Sequence, residues 1–178
     1  AESATKIQQA FIDTYFRIYV QHDVTGVELG GALKNVIAIA AGICEGLKFG
    51  DNTKAGMISR GLYEMTRLGV RLGANPSTFF GLSGLGDLLA SCYYPYGRNL
   101  TVGRELGAGR KIDDILKDMV MVAEGVQTAV SVRQLCEKFQ ISMPIMSEVY
   151  NILYEDKDPR QAVMDLLNRV AQEEWKQY

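Results

Sequence analysis

Apolar residues recur at helical spacing through most of this chain and alternate at strand spacing almost nowhere. Residues 5–15 are amphipathic. FRIYV at 16–20 is the one stretch whose β-branched and aromatic residues predict a strand, and such a strand would need a partner. From about Val27 to Gly46 the pattern turns apolar on every side, which predicts a helix buried in the core. LKFGDN closes that helix with Gly50 at its cap, and Asp51 or Asn52 caps the next. In that second helix Met57, Leu62, Met65, Leu68 and Leu72 recur at helical spacing until Gly73. Asn75-Pro76 opens a short helical turn. Further helices are predicted at 99–107, 111–119 and 124–139, and Pro144 and Pro159 open two more that reach Leu153 and Val170. The predicted fold class is all-α: a bundle of roughly seven to nine helices with at most one short N-terminal strand.

One position breaks the buried pattern. In GGALKNVIAIAAGIC, from Gly30 to Cys44, Lys34 and Asn35 are the only strongly polar side chains. An ammonium carried into a core is costly unless something uses it. A lysine near a helix end can snorkel out to water. The alternative is a lysine kept there to transfer a proton.

Composition narrows the classes. The 178 residues are 47% hydrophobic, enough to close a core as one domain. Nineteen Lys and Arg against 21 Asp and Glu leave a net charge of -2 with no long basic run, which argues against a general nucleic-acid partner. Cys44, Cys92 and Cys136 form no CxxC pair, so buried thiols in a reducing, cytoplasmic compartment are expected. The longest apolar run is about 15 residues, short of the roughly 20 that a membrane span needs, so no span is expected. The chain starts mid-pattern at Ala, as a fragment of a longer protein would.

The 18 glycines invite a nucleotide-binding reading, but their spacing resists it. GLSGLG at 81–86 is GxxGxG, the dinucleotide fingerprint reversed, and no strong strand precedes it. GAG at 107–109 reads as a helix end followed by a turn. Turns and close helix packing are the expected roles. His22, the only histidine, lies in a polar loop and is expected to be solvated; no zinc ligand set occurs.

Other polar residues stand in glycine-rich or apolar settings. Asp87 follows GLSGLG and can cap a buried helix. Arg98-Asn99 follows YYPYG, and a guanidinium plus an amide at a helix start suits an anionic phosphate; Arg98 would serve equally as a surface residue. Glu124, between MVMVA and GVQTA, complements a helix dipole.

In order, GVELGGALKNVIAIAAGICEGLKFGDNTKA, GLSGLGDLLASC, GRN and AEGVQTA closely resemble the C-terminal half of the bacterial NAD(P)-dependent glycerol-3-phosphate dehydrogenase family. The resemblance covers nearly the whole chain. It implies an all-helical substrate domain of the type found in 6-phosphogluconate dehydrogenase, over residues 24–178, with residues 1–23 forming the junction to an N-terminal Rossmann domain. It implies that Lys34 is the proton acceptor and that Lys34, Asp87, Gly97, Arg98 and Asn99 bind substrate. Relatives commonly carry serine at the position of Gly97, which here has only its backbone to offer. Arg98, Val122 and Glu124 would touch the cofactor, NAD or NADP, held mainly by the Rossmann domain. The substrate would be a small phosphorylated three-carbon compound feeding glycerophospholipid synthesis, and the protein a cytoplasmic homodimer. Two other readings remain: another hydroxy acid dehydrogenase of the 6-phosphogluconate dehydrogenase type, and a non-enzymatic helical interaction module. The module would point Lys34 to solvent and scatter Lys34, Asp87 and Arg98; an enzyme would gather them in one cleft. The apolar face of the first 20 residues predicts a segment displaced, swapped or held against a neighbour.

Overall fold

The computed structural model describes residues 2–12, 15–170 and 173. Among these, the chain forms α1 (Glu2–Ala10), α2 (Val24–Gly46), α3 (Asp51–Arg71), α4 (Asp87–Tyr93), α5 (Arg98–Gly107), α6 (Ile112–Asp118), α7 (Glu124–Phe139), α8 (Pro144–Tyr154) and α9 (Pro159–Leu167). A 3-10 turn at Pro76–Phe80 and a π turn at Leu82–Gly86 precede α4. The all-α class holds. The strand predicted at 16–20 does not form: the segment has no regular structure and no strand to pair with among the described residues, and Gln8 Nε2 donates to Ile18 O instead. Ile7, Ile12, Phe16 and Tyr19 around it stay exposed.

α2 is the axis of the bundle, with α3, α4, α5, α7 and α8 packed around it. It begins at Val24 rather than Val27 because Asp23 Oδ1 accepts the Gly26 N–H at 2.9 Å and caps the first turn. It ends at Gly46, but no glycine takes the left-handed turn: Leu47 is the C-cap and Lys48 sits at φ 62°. Gly50, expected to close α2, is the N-cap of α3, and Asp51, expected as a cap, lies in the first turn of α3, where its charge suits the helix dipole. By length and composition alone α2 could cross a membrane, yet 67% of its apolar window is buried inside the protein, so it reads as a core helix.

Glycines set how closely α5 lies on α2. A Cβ on Gly42 would sit 2.1 Å from Leu100 O, and one on Gly103 would sit 2.0 Å from Ile39 O, so the two backbones touch. GLSGLG acts likewise: a Cβ on Gly84 would meet Phe79 O at 2.1 Å, and one on Gly30 would meet Ser83 O at 2.4 Å. The π turn is therefore pressed against α2, the packing role its spacing predicts. GAG at 107–109 is, as expected, a helix end and a turn, with Gly109 at φ 95°.

The buried carboxylate Glu64 on α3 escaped the sequence reading. Its oxygens accept the Ile145 N–H at 2.8 Å and the Met146 N–H at 3.1 Å, capping α8 from outside. Burial pushes its carboxyl up from the ordinary 4.5 to about 7, against the pull of those two N–H groups and the charges of Arg67 and Arg169. The folded state thus binds this proton more tightly than the unfolded state. Stability from this group is full below about pH 4.5 and declines as pH rises to about 7, by about 3 kcal/mol. Urea denaturation at pH 5 and pH 8 should show that slope in the parent protein and a flatter one in Glu64→Gln; equal slopes would remove Glu64 as its source.

Cys44 and Cys92 are buried, and loss of hydration pushes their thiols up to about 11 and about 12, as expected of inert core cysteines. Cys136 is only half-buried.

Candidate active site

Lys34 lies mid-way along α2, so it is no helix-end lysine. Its side chain is 19% exposed, and Nζ meets Asp87 Oδ2 at 2.5 Å. Asp87 opens α4 but makes no side-chain capping bond, which corrects the expectation of a helix cap: its carboxylate is turned to the lysine. The pressed π turn delivers it there, since Ser83 against Gly30 leaves α4 to start beside Lys34, one turn further along α2.

A second cluster follows. Asn99 Nδ2 donates to Asn35 Oδ1 at 3.0 Å, and Asn99 Oδ1 accepts the Gly125 N–H at 2.9 Å. Asn35 Nδ2 is shared between Gly31 O at 3.3 Å and Glu124 Oε2 at 3.4 Å. Arg98 Nη1 donates to Val122 O at 3.2 Å. The first turn of α5 is thereby tied to the start of α7. Gly125 must be glycine for this, because a Cβ there would stand 2.6 Å from Asn35 O.

Between these elements lies a cavity of about 330 Å³, lined by Asn35 and Ala38 of α2, Ala90 and Ser91 of α4, Tyr94, Tyr96, and Gly97 to Leu100. The Lys34–Asp87 pair does not line it directly. It sits one turn before Ala38 and Ser91 on the two helices, and residues four apart share a helix face. Gly97 uses its N–H on Tyr94 O at 2.9 Å, so what it gives the cavity is space. Arg98, Val122 and Glu124 are exposed at the edge of this region. His22 is exposed, as expected.

The sequence reading found Lys34, Asp87, Arg98 and Asn99 but gave no role to Asn35, Ser91, Tyr94, Tyr96 or Gly125. Asn35 had a signal, a second polar side chain inside an apolar helix. The others depend on how three helices meet.

Fold and site together define an all-helical domain with a lysine–aspartate pair one turn from a cavity. The family described as NAD-dependent glycerol-3-phosphate dehydrogenase C-terminus matches residues 23–164, and the chain belongs to this family. A glycerol-3-phosphate dehydrogenase (NAD(P)+) of Citrifermentans bemidjiense is 54% identical over 166 residues, covering 93% of this chain and 50% of the relative. The crystal structure of glycerol-3-phosphate dehydrogenase from Coxiella burnetii superposes with a TM-score of 0.89 at 40% identity, covering 94% of this chain and 52% of that one. The yeast enzyme, from Saccharomyces cerevisiae, gives 0.83 at 28% identity, with 93% and 48% covered. The chain spans about half the length of the curated relatives it matches.

Proposed function

We propose that residues 24–178 form the substrate-binding and proton-transfer half of an NAD(P)-dependent glycerol-3-phosphate dehydrogenase, with residues 1–23 as the junction to its dinucleotide-binding half. The observation that carries this reading is Lys34, held by Asp87 at 2.5 Å, one turn from a cavity edged by Arg98 and Asn99.

The chemistry suits interconversion of dihydroxyacetone phosphate and glycerol 3-phosphate. The Lys34 ammonium gives its proton to the oxygen on C2 as the carbonyl becomes an alcohol, and the neutral amine takes it back in the reverse direction. Asp87 fixes the ammonium and balances its charge. Arg98 and Asn99 grip the phosphate, the guanidinium by charge and the amide through its remaining N–H. The donor set at the edge also fits NAD(P): Arg98, Val122 O and the exposed Glu124 carboxylate offer a cation and acceptors for phosphate, amide and hydroxyl groups. When bound, the nicotinamide supplies the hydride to C2 or removes it. The protein would work as a cytoplasmic homodimer.

The complete protein carrying this chain should oxidise NADH or NADPH on addition of dihydroxyacetone phosphate, and absence of that turnover would sink the reading. Arg98→Met should raise KM for both substrate and cofactor by about tenfold or more, since a charge-assisted contact is worth roughly 1.5–3 kcal/mol. An unchanged KM for both would free Arg98 of the role.

A further inference from the structure

A charged cluster outside the site has no part in the mechanism above. Lys54, on α3, is buried, with Nζ 2.5 Å from Glu45 Oε1 on α2 and 4.1 Å from the centre of the Tyr93 ring. The other oxygen of Glu45 accepts Arg104 Nε, from α5, at 2.9 Å. Both terminal nitrogens of Arg104 then reach Pro95 O, each at 3.3 Å. Burial works against the charge on Glu45, but hydrogen bonds from Lys54 and Arg104 and their charges win and hold its carboxyl below the ordinary range.

Both cations also reach the Tyr93–Gly97 segment, which runs from the last residue of α4 to the N-cap of α5. Lys54 underlies its first residue, and Arg104 holds its central carbonyl. Tyr94, Tyr96 and Gly97 of the same segment line the cavity, and Arg98 follows at once. The rings of Tyr94 and Tyr96 meet edge-to-face at 5.8 Å and are largely exposed, so little apolar burial anchors them. We propose that Glu45, Lys54 and Arg104 are positioning residues, a charged brace that sets the Tyr93–Gly97 segment and thereby the cavity wall and the Arg98 guanidinium at the phosphate end of the substrate. This rests on the glycerol-3-phosphate dehydrogenase reading. Stability alone gives little reason for the brace: only Lys54 is buried, the Glu45 and Arg104 side chains are about one third exposed, and partly exposed ion pairs contribute roughly 0–1 kcal/mol. A forked grip on one loop carbonyl supplies position.

The test is Arg104→Lys in the complete protein. Lysine keeps the charge opposite Glu45 but lacks the planar fork for Pro95 O. The expected result is a KM for dihydroxyacetone phosphate raised about tenfold, with kcat changed less than about twofold and Tm within a few degrees. Tyr93→Leu, which removes the ring over Lys54 and leaves the ions in place, should raise KM in the same direction and decides the matter if Arg104→Lys does not fold. Unchanged KM in an active protein overturns the brace, and so does a kcat loss as large as the KM change. A parent protein inactive on dihydroxyacetone phosphate overturns the functional reading and the brace with it.

Discussion

In the complete protein, replacing Lys34 with alanine should lower kcat for the proposed reduction of dihydroxyacetone phosphate by about three orders of magnitude and leave the protein folded. Two losses combine. Proton transfer from a positioned group is worth about 10²–10⁴ in rate, and the oxygen on C2 also loses the cation beside which its negative charge would develop. Folding is spared because the partner left behind, Asp87, has a side chain 41% exposed, so water can solvate it. The pair is partly solvated on the Asp87 side, so its loss should cost about 1 kcal/mol and the expected change in Tm is correspondingly small. Circular dichroism and steady-state kinetics on the same preparation check both halves. Near-normal kcat with an intact fold would mean that Lys34 only fills α2 and that the proton comes from elsewhere.

How much of this was legible in the sequence depended on whether a residue's neighbours were local. The span of α7, Glu124–Phe139, and the proline starts of α8 and α9 follow from capping and periodicity, which act within a turn or two. Lys34 stood out because one charge in a buried run is visible without knowing the fold. Its partner was not visible from the residues alone: Asp87 read as a cap, and only the family resemblance set it in one site with Lys34, because nothing in the chain says that the GLSGLG turn lies against Gly30. The lone strand at 16–20 shows the opposite error, in which propensity suggested an element whose pairing partner does not exist among the described residues. Asn35 was seen but not understood, because its meaning lies in Asn99 and Glu124, more than sixty residues away in the chain. Glu64 was missed for the same reason, its partners being the N–H groups of α8.

Gly103→Ala should be among the costliest single-methyl changes in the chain. A Cβ there would stand 2.0 Å from Ile39 O, 2.8 Å from Ile39 C and 2.9 Å from Gly42 Cα, all backbone atoms that no rotamer change can move. Relief requires α5 to slide or lift from α2 by more than about an ångström, at a cost of roughly 3 kcal/mol or more. For a domain of this size that is a Tm lower by roughly 6–12 °C. The damage would not stop at stability, because α5 carries Arg98 and Asn99, and lifting it pulls Asn99 from Asn35 and from the Gly125 N–H. KM for the phosphorylated substrate should therefore rise along with the fall in Tm. Gly56→Ala is the matched control: it lies on an exposed part of α3 with nothing within 4 Å of a new Cβ, so the same substitution should stabilise by about 0.5–1 kcal/mol, from the higher helix propensity of alanine. Thermal denaturation of the two variants side by side separates close approach from glycine content. If Gly103→Ala proved as mild as Gly56→Ala, the contact between α2 and α5 would be loose enough to absorb a methyl group, and the site would owe its geometry to the Asn35–Asn99–Gly125 hydrogen bonds alone.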